Sequence, residues 1–166
     1  EPGVIVYNAA ISACGNRRWW HEAFGVFSDM LLHSLAPTVI TYNAAMCACG
    51  KGARWHEALD MFSDMLTRRL EPDVITYNTV ISACGSGARW YEALGMLLDM
   101  LARRSSPDLI TYNAAMCACG KGARWHEALE LISDMLTRRL EPDVITYNTV
   151  ISACGSGARW YEALGM

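Results

Sequence analysis

The chain repeats itself every 35 residues, and no other feature constrains its fold as tightly. Tyr-Asn recurs at Tyr7-Asn8, Tyr42-Asn43, Tyr77-Asn78, Tyr112-Asn113 and Tyr147-Asn148. Cys-Gly follows at Cys14-Gly15, Cys49-Gly50, Cys84-Gly85, Cys119-Gly120 and Cys154-Gly155, and Trp20, Trp55, Trp90, Trp125 and Trp160 keep the same step. A unit this short cannot bury its own apolar face, so neighbouring units must stack on one another. They divide as residues 4–38, 39–73, 74–108 and 109–143, with a partial unit at 144–166, in a single array over 1–166. Residues 109–166 differ from 39–96 at only four of 58 positions, so a doubled unit has itself been duplicated and the five copies are not independent. Glu1-Pro2-Gly3 resembles the tail of a preceding unit and Met166 falls inside a second helix, so the sequence reads as a piece of a longer array.

Each unit reads as two short helices. In the second unit the first runs from Val39 to about Gly50, ended by the Gly-Lys-Gly stretch at 50–52. The second spans about Arg54 to Arg68, where Trp55, Ala58, Leu59, Phe62, Met65 and Leu66 follow the i, i+3, i+4, i+7 spacing of one buried stripe. Glu57 in its first turn and Arg68 and Arg69 in its last suit the helix dipole. Pro72 prevents continuation and Asp73 is placed to cap the next helix. No β-type alternation persists. The expected fold is all-α, a solenoid of stacked helical hairpins, with a tryptophan at each second helix acting as a wedge between units.

Composition narrows the function classes. Fourteen basic against 17 acidic residues give a net charge of −3, which argues against nucleic-acid binding by bulk electrostatics. No run of ~18 apolar residues offers a membrane span, and no signal or Arg-rich presequence opens the chain. The seven cysteines contain no Cys-x-x-Cys, and Cys47/Cys49 and Cys117/Cys119 lie about 200° apart on a helix, so neither pair chelates a metal. They are expected to be reduced core residues. Neither His56-Glu57 nor His126-Glu127 is followed by the second histidine of a zinc-protease helix, and no phosphate loop or zinc-deaminase pattern occurs. No enzyme, cofactor or small-molecule substrate is expected.

The first helices carry the unusual chemistry. Tyr42, Ala45, Met46 and Cys49 make one apolar face, while Ile40, Asn43, Cys47 and Lys51 fall on another stripe. The stripe recurs as Ile5/Asn8/Ser12/Asn16, Ile75/Asn78/Ser82/Ser86 and Ile110/Asn113/Cys117/Lys121. Asparagine inside a helix costs roughly half a kcal/mol against alanine. One amide per unit beside an aliphatic residue suits a repeated planar hydrogen-bonding partner, and a nucleobase is such a group.

Here the residues resemble a family. "VITYNAAMCACGKGARWHEALDMFSDMLTRRLEPD" and "VITYNTVISACGSGARWYEALGMLLDMLARRSSPD" look like 35-residue pentatricopeptide repeats, through the Thr-Tyr-Asn, the Glu-Ala-Leu, the late Met and the closing Pro-Asp. The likeness covers Val4 to Met166, and the Trp-(His/Tyr)-Glu-Ala and Ala-Cys-Gly wording resembles algal or dinoflagellate members. The resemblance implies a right-handed superhelix that binds single-stranded RNA, one base per repeat, in a mitochondrion or plastid. It implies base reading by the residue after the tyrosine and the last residue of the repeat. Those pairs are Asn43/Asp73, Asn78/Asp108 and Asn113/Asp143, with Asn8 beside Thr38, and Asn148 without its partner. The Asn/Asp combination implies uridine, with cytidine second. Ile5, Ile40, Ile75, Ile110 and Ile145 would sandwich the bases, and Lys51 and Lys121 would meet phosphates. Two alternatives stay open. Asp73, Asp108 and Asp143 each follow a proline before a helix, so capping alone accounts for them. The solenoid could equally be a scaffold subunit of a large organellar assembly, docking other proteins.

Overall fold

The computed structural model describes residues 3–156. Among them lie nine α-helices: α1 (Val4–Asn16), α2 (Trp20–Leu32), α3 (Val39–Lys51), α4 (Trp55–Thr67), α5 (Val74–Ser86), α6 (Trp90–Ala102), α7 (Leu109–Lys121), α8 (Trp125–Thr137) and α9 (Val144–Ser156). The described residues contain no strand, and none of their helices is long and apolar enough to cross a membrane. Odd-numbered helices open each unit and even-numbered ones close it. Each odd helix packs on the next odd helix, and each even helix packs on its own partner and on the following odd helix, but even helices do not reach one another. Close spacing on one side and wide spacing on the other bends the array toward the odd helices. They therefore line the inner face of an α-solenoid. Trp160 and the side chain of Ser156 lie outside the described residues.

The core follows the expected stripes. Tyr42, Ala45, Met46 and Cys49 on α3 and Ala58, Phe62 and Met65 on α4 are buried, as are their counterparts on α5 to α8, whereas Tyr147 and Ile151 on α9 are exposed. Met61, which lies off the expected α4 stripe, is buried too. Each tyrosine locks its own hairpin. The Tyr77 hydroxyl donates to Asp99 Oδ2 at 2.6 Å, and Arg103 Nε donates to the same oxygen at 2.9 Å. Tyr7–Asp29, Tyr42–Asp64 and Tyr112–Asp134 repeat the bond, with His33 standing where Arg68, Arg103 and Arg138 do. Burial, reinforced by the carboxylate, pushes Tyr42, Tyr77 and Tyr112 above the ordinary phenol range, so they remain donors.

The glycines do not end the helices in the expected way. Helix α3 runs through Gly50 to Lys51, and Gly52 is its cap residue at an ordinary φ of −85°. The left-handed residue is Ala53, at φ 56°, and Arg54 N–H closes the turn on Cys49 O at 2.8 Å, the long bond of a Schellman motif. Ala88 and Ala123 repeat this after α5 and α7, and Arg69, Arg104 and Arg139 do so after the even helices. Glycine serves packing instead. A Cβ on Gly50 would fall 3.1 Å from Ala83 Cβ, and one on Gly52 would fall 2.6 Å from Trp20 Cδ1. Gly87 and Gly122 receive Trp55 and Trp90 in the same manner.

The arginine after each turn then covers that tryptophan. Arg54, Arg89 and Arg124 lie 4.5, 4.3 and 4.3 Å from the ring centroids of Trp20, Trp55 and Trp90, and each pairs with the glutamate three residues on. The tryptophan is thus an inter-unit wedge between a bare backbone and a guanidinium. In the first unit Arg17 and Trp19 occupy the glycine and arginine positions, and Arg17 lies 5.1 Å from the Trp19 ring centroid.

Two stability outcomes follow. Gly87→Ala should destabilise by about 1–3 kcal/mol through overpacking on Trp55. Combining it with Trp55→Ala should cost clearly less than the sum of the two single changes, measured as a double-mutant cycle in denaturant unfolding. Additive costs would show that the two do not meet. Conversely, Ala88→Gly should raise the midpoint, by up to about 1 kcal/mol, because the left-handed residue loses its Cβ.

Candidate functional site

The inner face is built on the first turn of each odd helix. Asp73, Asp108 and Asp143 are the N-cap residues of α5, α7 and α9. Asp108 Oδ1 accepts from Thr111 N–H at 2.8 Å, and Thr111 Oγ1 accepts from Asp108 N–H at 3.1 Å, a reciprocal capping box. Thr38 makes the same box with Thr41 at the start of α3. Capping is thus a real role of all four residues expected to read bases from the repeat ends.

The asparagines meet these caps across the unit. Asn78 Nδ2 donates to Asp108 Oδ1 at 3.2 Å, and Asn43 Nδ2 donates to Asp73 Oδ1 at 3.4 Å. The two residues of each expected pair therefore sit side by side although 30 positions apart in sequence. Burial alone would raise the Asp73 and Asp108 carboxyls. The threonine hydroxyl and N–H, helped by the asparagine amide, outweigh it and hold both below the ordinary carboxylate range. Asp143 is lowered first by the Thr146 N–H and hydroxyl, with Asn113 contributing. All three stay ionised at neutral pH. Asn8 has no acidic neighbour at Thr38, and its Oδ1 accepts from Thr41 Oγ1 at 2.7 Å. Asn148 is exposed.

The isoleucines stand out from the surface. Ile5, Ile40, Ile75, Ile110 and Ile145 are 63–83% exposed, which removes them from the core. Between α3, α5 and α7 lies an open groove of about 530 Å³, lined among others by Ile75, Asn78, Ser82, Ile110, Asn113 and Lys51. A second, of about 370 Å³, holds Lys121, Ile145 and Asn148. The structure thus gathers the asparagines, isoleucines and lysines of the expected stripe on one face. Lys51 Nζ donates to Asn16 Oδ1 at 2.7 Å, so one cation already has a neighbour across the rung. Thr79 joins the groove wall without having been singled out in the sequence.

The cysteines divide. Cys49, Cys84 and Cys119 are buried, and desolvation pushes each thiol up to about 12. Cys117 is exposed and Cys14 and Cys47 are half-buried, which corrects the expectation that all are core residues. Cys47 and Cys117 lie at groove walls because the stripe position points away from the face that buries Cys49 and Cys119. Among the described residues no cluster of His, Cys, Asp or Glu is placed to hold a metal.

The PPR repeat family matches residues 2–51, 37–86, 72–121 and 107–156. No curated protein matches the sequence. Among solved structures, the pentatricopeptide repeat protein PPR10 in complex with an 18-nt psaJ RNA element superposes with a TM-score of 0.86 at 28% identity, over 99% of this chain and 24% of that one. PPR10 from maize gives 0.84 over the same shares, also at 28% identity. The chain thus spans about a quarter of that protein. The PPR domain of Arabidopsis thaliana protein-only RNase P 1, in complex with tRNA, gives 0.79 at 14% identity over 98% of this chain and 87% of that domain, a likeness of fold.

The caps carry a pH signature. Because the folded carboxyls lie below the ordinary aspartate value of 3.8, their contribution is present above that value and is lost as pH falls through the lowered one. Asp108→Ala should cost about 1 kcal/mol at pH 7 in denaturant unfolding. The gap from the parent should persist at pH 5 and close below about pH 3.8. A gap that closes between pH 7 and 5 would mean that the carboxylate is not the cap.

Proposed function

The chain belongs to the PPR repeat family, and on that premise we propose that it binds single-stranded RNA along its inner face, about one base per unit, with a preference for uridine-rich sequence. The observation that supports this most is the side-by-side placement of an amide and an ionised carboxylate on successive rungs, each flanked by an exposed isoleucine. The carboxylate can accept from uracil N3–H while an amide N–H donates to a neighbouring carbonyl. Cytosine N3 is itself an acceptor and faces the carboxylate unfavourably. The isoleucine side chains offer apolar surface to the base planes. Ile5 and Ile40, Ile40 and Ile75, and so on along the face, make successive slots.

Likeness to PPR10, which is seen with an RNA element, supports the partner class. By the same reasoning the protein acts as a non-catalytic adaptor in the RNA metabolism of a mitochondrion or plastid. Affinity comes from base edges and stacking, since only Lys51 and Lys121 bring cations to the rungs. A slope of about −0.7 per phosphate contact for single strands puts the salt dependence of two such contacts at about −1.4 in log–log form. A second reading, a scaffold docking other proteins of an organellar assembly, draws on the net charge of −3 and on the engagement of the aspartates as caps.

Oligouridine should bind the full chain more tightly than oligoadenosine, and bound oligouridine should slow alkylation of Cys117 and Cys47 while leaving Cys14 unchanged. Equal or absent binding, with all three thiols reacting as before, favours the scaffold. Replacing Asn78 and Asp108 together should alter preference at one nucleotide position only, at an unchanged melting midpoint apart from the lost cap.

A further inference from the structure

From the second unit on, the third residue of each unit is a fully buried threonine. Thr41, Thr76, Thr111 and Thr146 are the buried polar side chains of the described core. Each accepts from the N–H of the cap residue before it: Thr38 N–H lies 3.0 Å from Thr41 Oγ1, and Asp73, Asp108 and Asp143 N–H lie 3.2, 3.1 and 3.3 Å from theirs. That leaves the hydroxyl one proton to give, and two acceptors stand within reach. One is the carboxylate of the cap, and the other is the amide oxygen of the asparagine in the preceding unit.

The rungs differ in where the proton can go. Thr41 reaches Asn8 Oδ1 at 2.7 Å with no carboxylate in competition, because the cap is Thr38. Thr111 lies 2.5 Å from Asn78 Oδ1 and 2.8 Å from Asp108 Oδ1. Thr76 and Thr146 donate to Asp73 and Asp143 at 2.8 Å, and Asn43 Oδ1 and Asn113 Oδ1 are left buried without a protein partner. An amide has two ends that present opposite chemistry. A hydroxyl that holds its oxygen on the protein side turns the N–H end toward a ligand, and with that hold removed the amide can turn and show its acceptor.

We propose that Thr41 and Thr111 are positioning residues for base recognition, each orienting the asparagine amide of the preceding unit so that it presents a donor to the nucleotide. The proposal rests on the RNA reading of the same face. It makes the rungs unequal. Asn8 depends on its threonine alone, Asn78 is held both by Thr111 and by Asp108, and Asn43 and Asn113 are held only from the amino side. Discrimination at the base facing Asn8 is therefore the most sensitive to the hydroxyl.

The test uses the full chain and uridine pentamers in which each position in turn is replaced by A, C or G, with Asn8→Ala marking the position that Asn8 faces. Thr41→Val should narrow the spread of affinities among the four bases at that position by about tenfold. Thr111→Val should narrow it less at its own position, and Thr41→Ser, which keeps the hydroxyl, should retain the parental spread. A uniform weakening for all RNAs with the spread intact would overturn the proposal, as would Thr41→Ser behaving like Thr41→Val. If Thr41→Val melts below the assay temperature, Thr111→Val against Thr111→Ser decides by the same criterion. A parent chain that shows no spread among bases defeats the RNA reading itself, and the proposal falls with it. A parent that discriminates while both valine variants match it defeats the proposal alone.

Discussion

Adjacent hairpins are held together because one side chain is missing. Trp20, Trp55 and Trp90 press against the backbone of Gly52, Gly87 and Gly122, where any Cβ would overlap the indole. Arg54, Arg89 and Arg124 then close over the ring and are steadied by Glu57, Glu92 and Glu127. A parallel contact of Gly15, Gly50, Gly85 and Gly120 against Ala48, Ala83, Ala118 and Ala153 brings the odd helices closer than side chains normally permit. Together these fix the pitch at which one rung follows the next. The placement of the groove residues depends on that pitch, because each Asn–Asp pair bridges one odd helix and the cap of the next, and none lies within one helix.

The period, the hairpin, the buried faces and the exposed stripe were all legible in the sequence, because a 3.6-residue repeat writes burial directly into spacing. Ile75, Asn78 and Lys51 land where their spacing puts them. What spacing could not carry was the use of small residues. Gly50 and Gly52 look like helix breakers, yet both keep right-handed backbone and the left-handed turn falls on Ala53. Their reason is a neighbour in the adjoining unit, Ala83 for Gly50 and Trp20 for Gly52, which no local rule sees. The same holds for Thr41 and Thr111. Their position three residues after a capping residue is a capping-box signal, but the approach to an asparagine from the preceding unit is a tertiary fact. Cys47 and Cys117 were misplaced for the opposite reason, since cysteine's usual burial was weighed above their place on the groove stripe.

Hydrogen bonding on the inner face gives the capping aspartates more than one use. Asp108 caps α7, receives the Asn78 amide and keeps one oxygen, Oδ2, more lightly engaged. The tyrosine network behind it, Tyr77–Asp99–Arg103, fixes the helix that carries Asn78 to the second helix of its own unit. The bonds that cap and join the helices thus also fix the position of the Asn78 side chain.

The junction position at the end of each unit has an evolutionary consequence. Whatever occupies residues 38, 73, 108 or 143 must start a helix before it can do anything else, and only Asp, Asn, Ser, Thr and, less well, Gly do so without penalty. Any vocabulary of specificity written at that position is therefore short in advance, restricted to side chains that cap. Diversification can swap letters within this alphabet at little cost in stability, as Thr38 and Asp73 illustrate. An aliphatic newcomer would forfeit the cap, at about 1 kcal/mol.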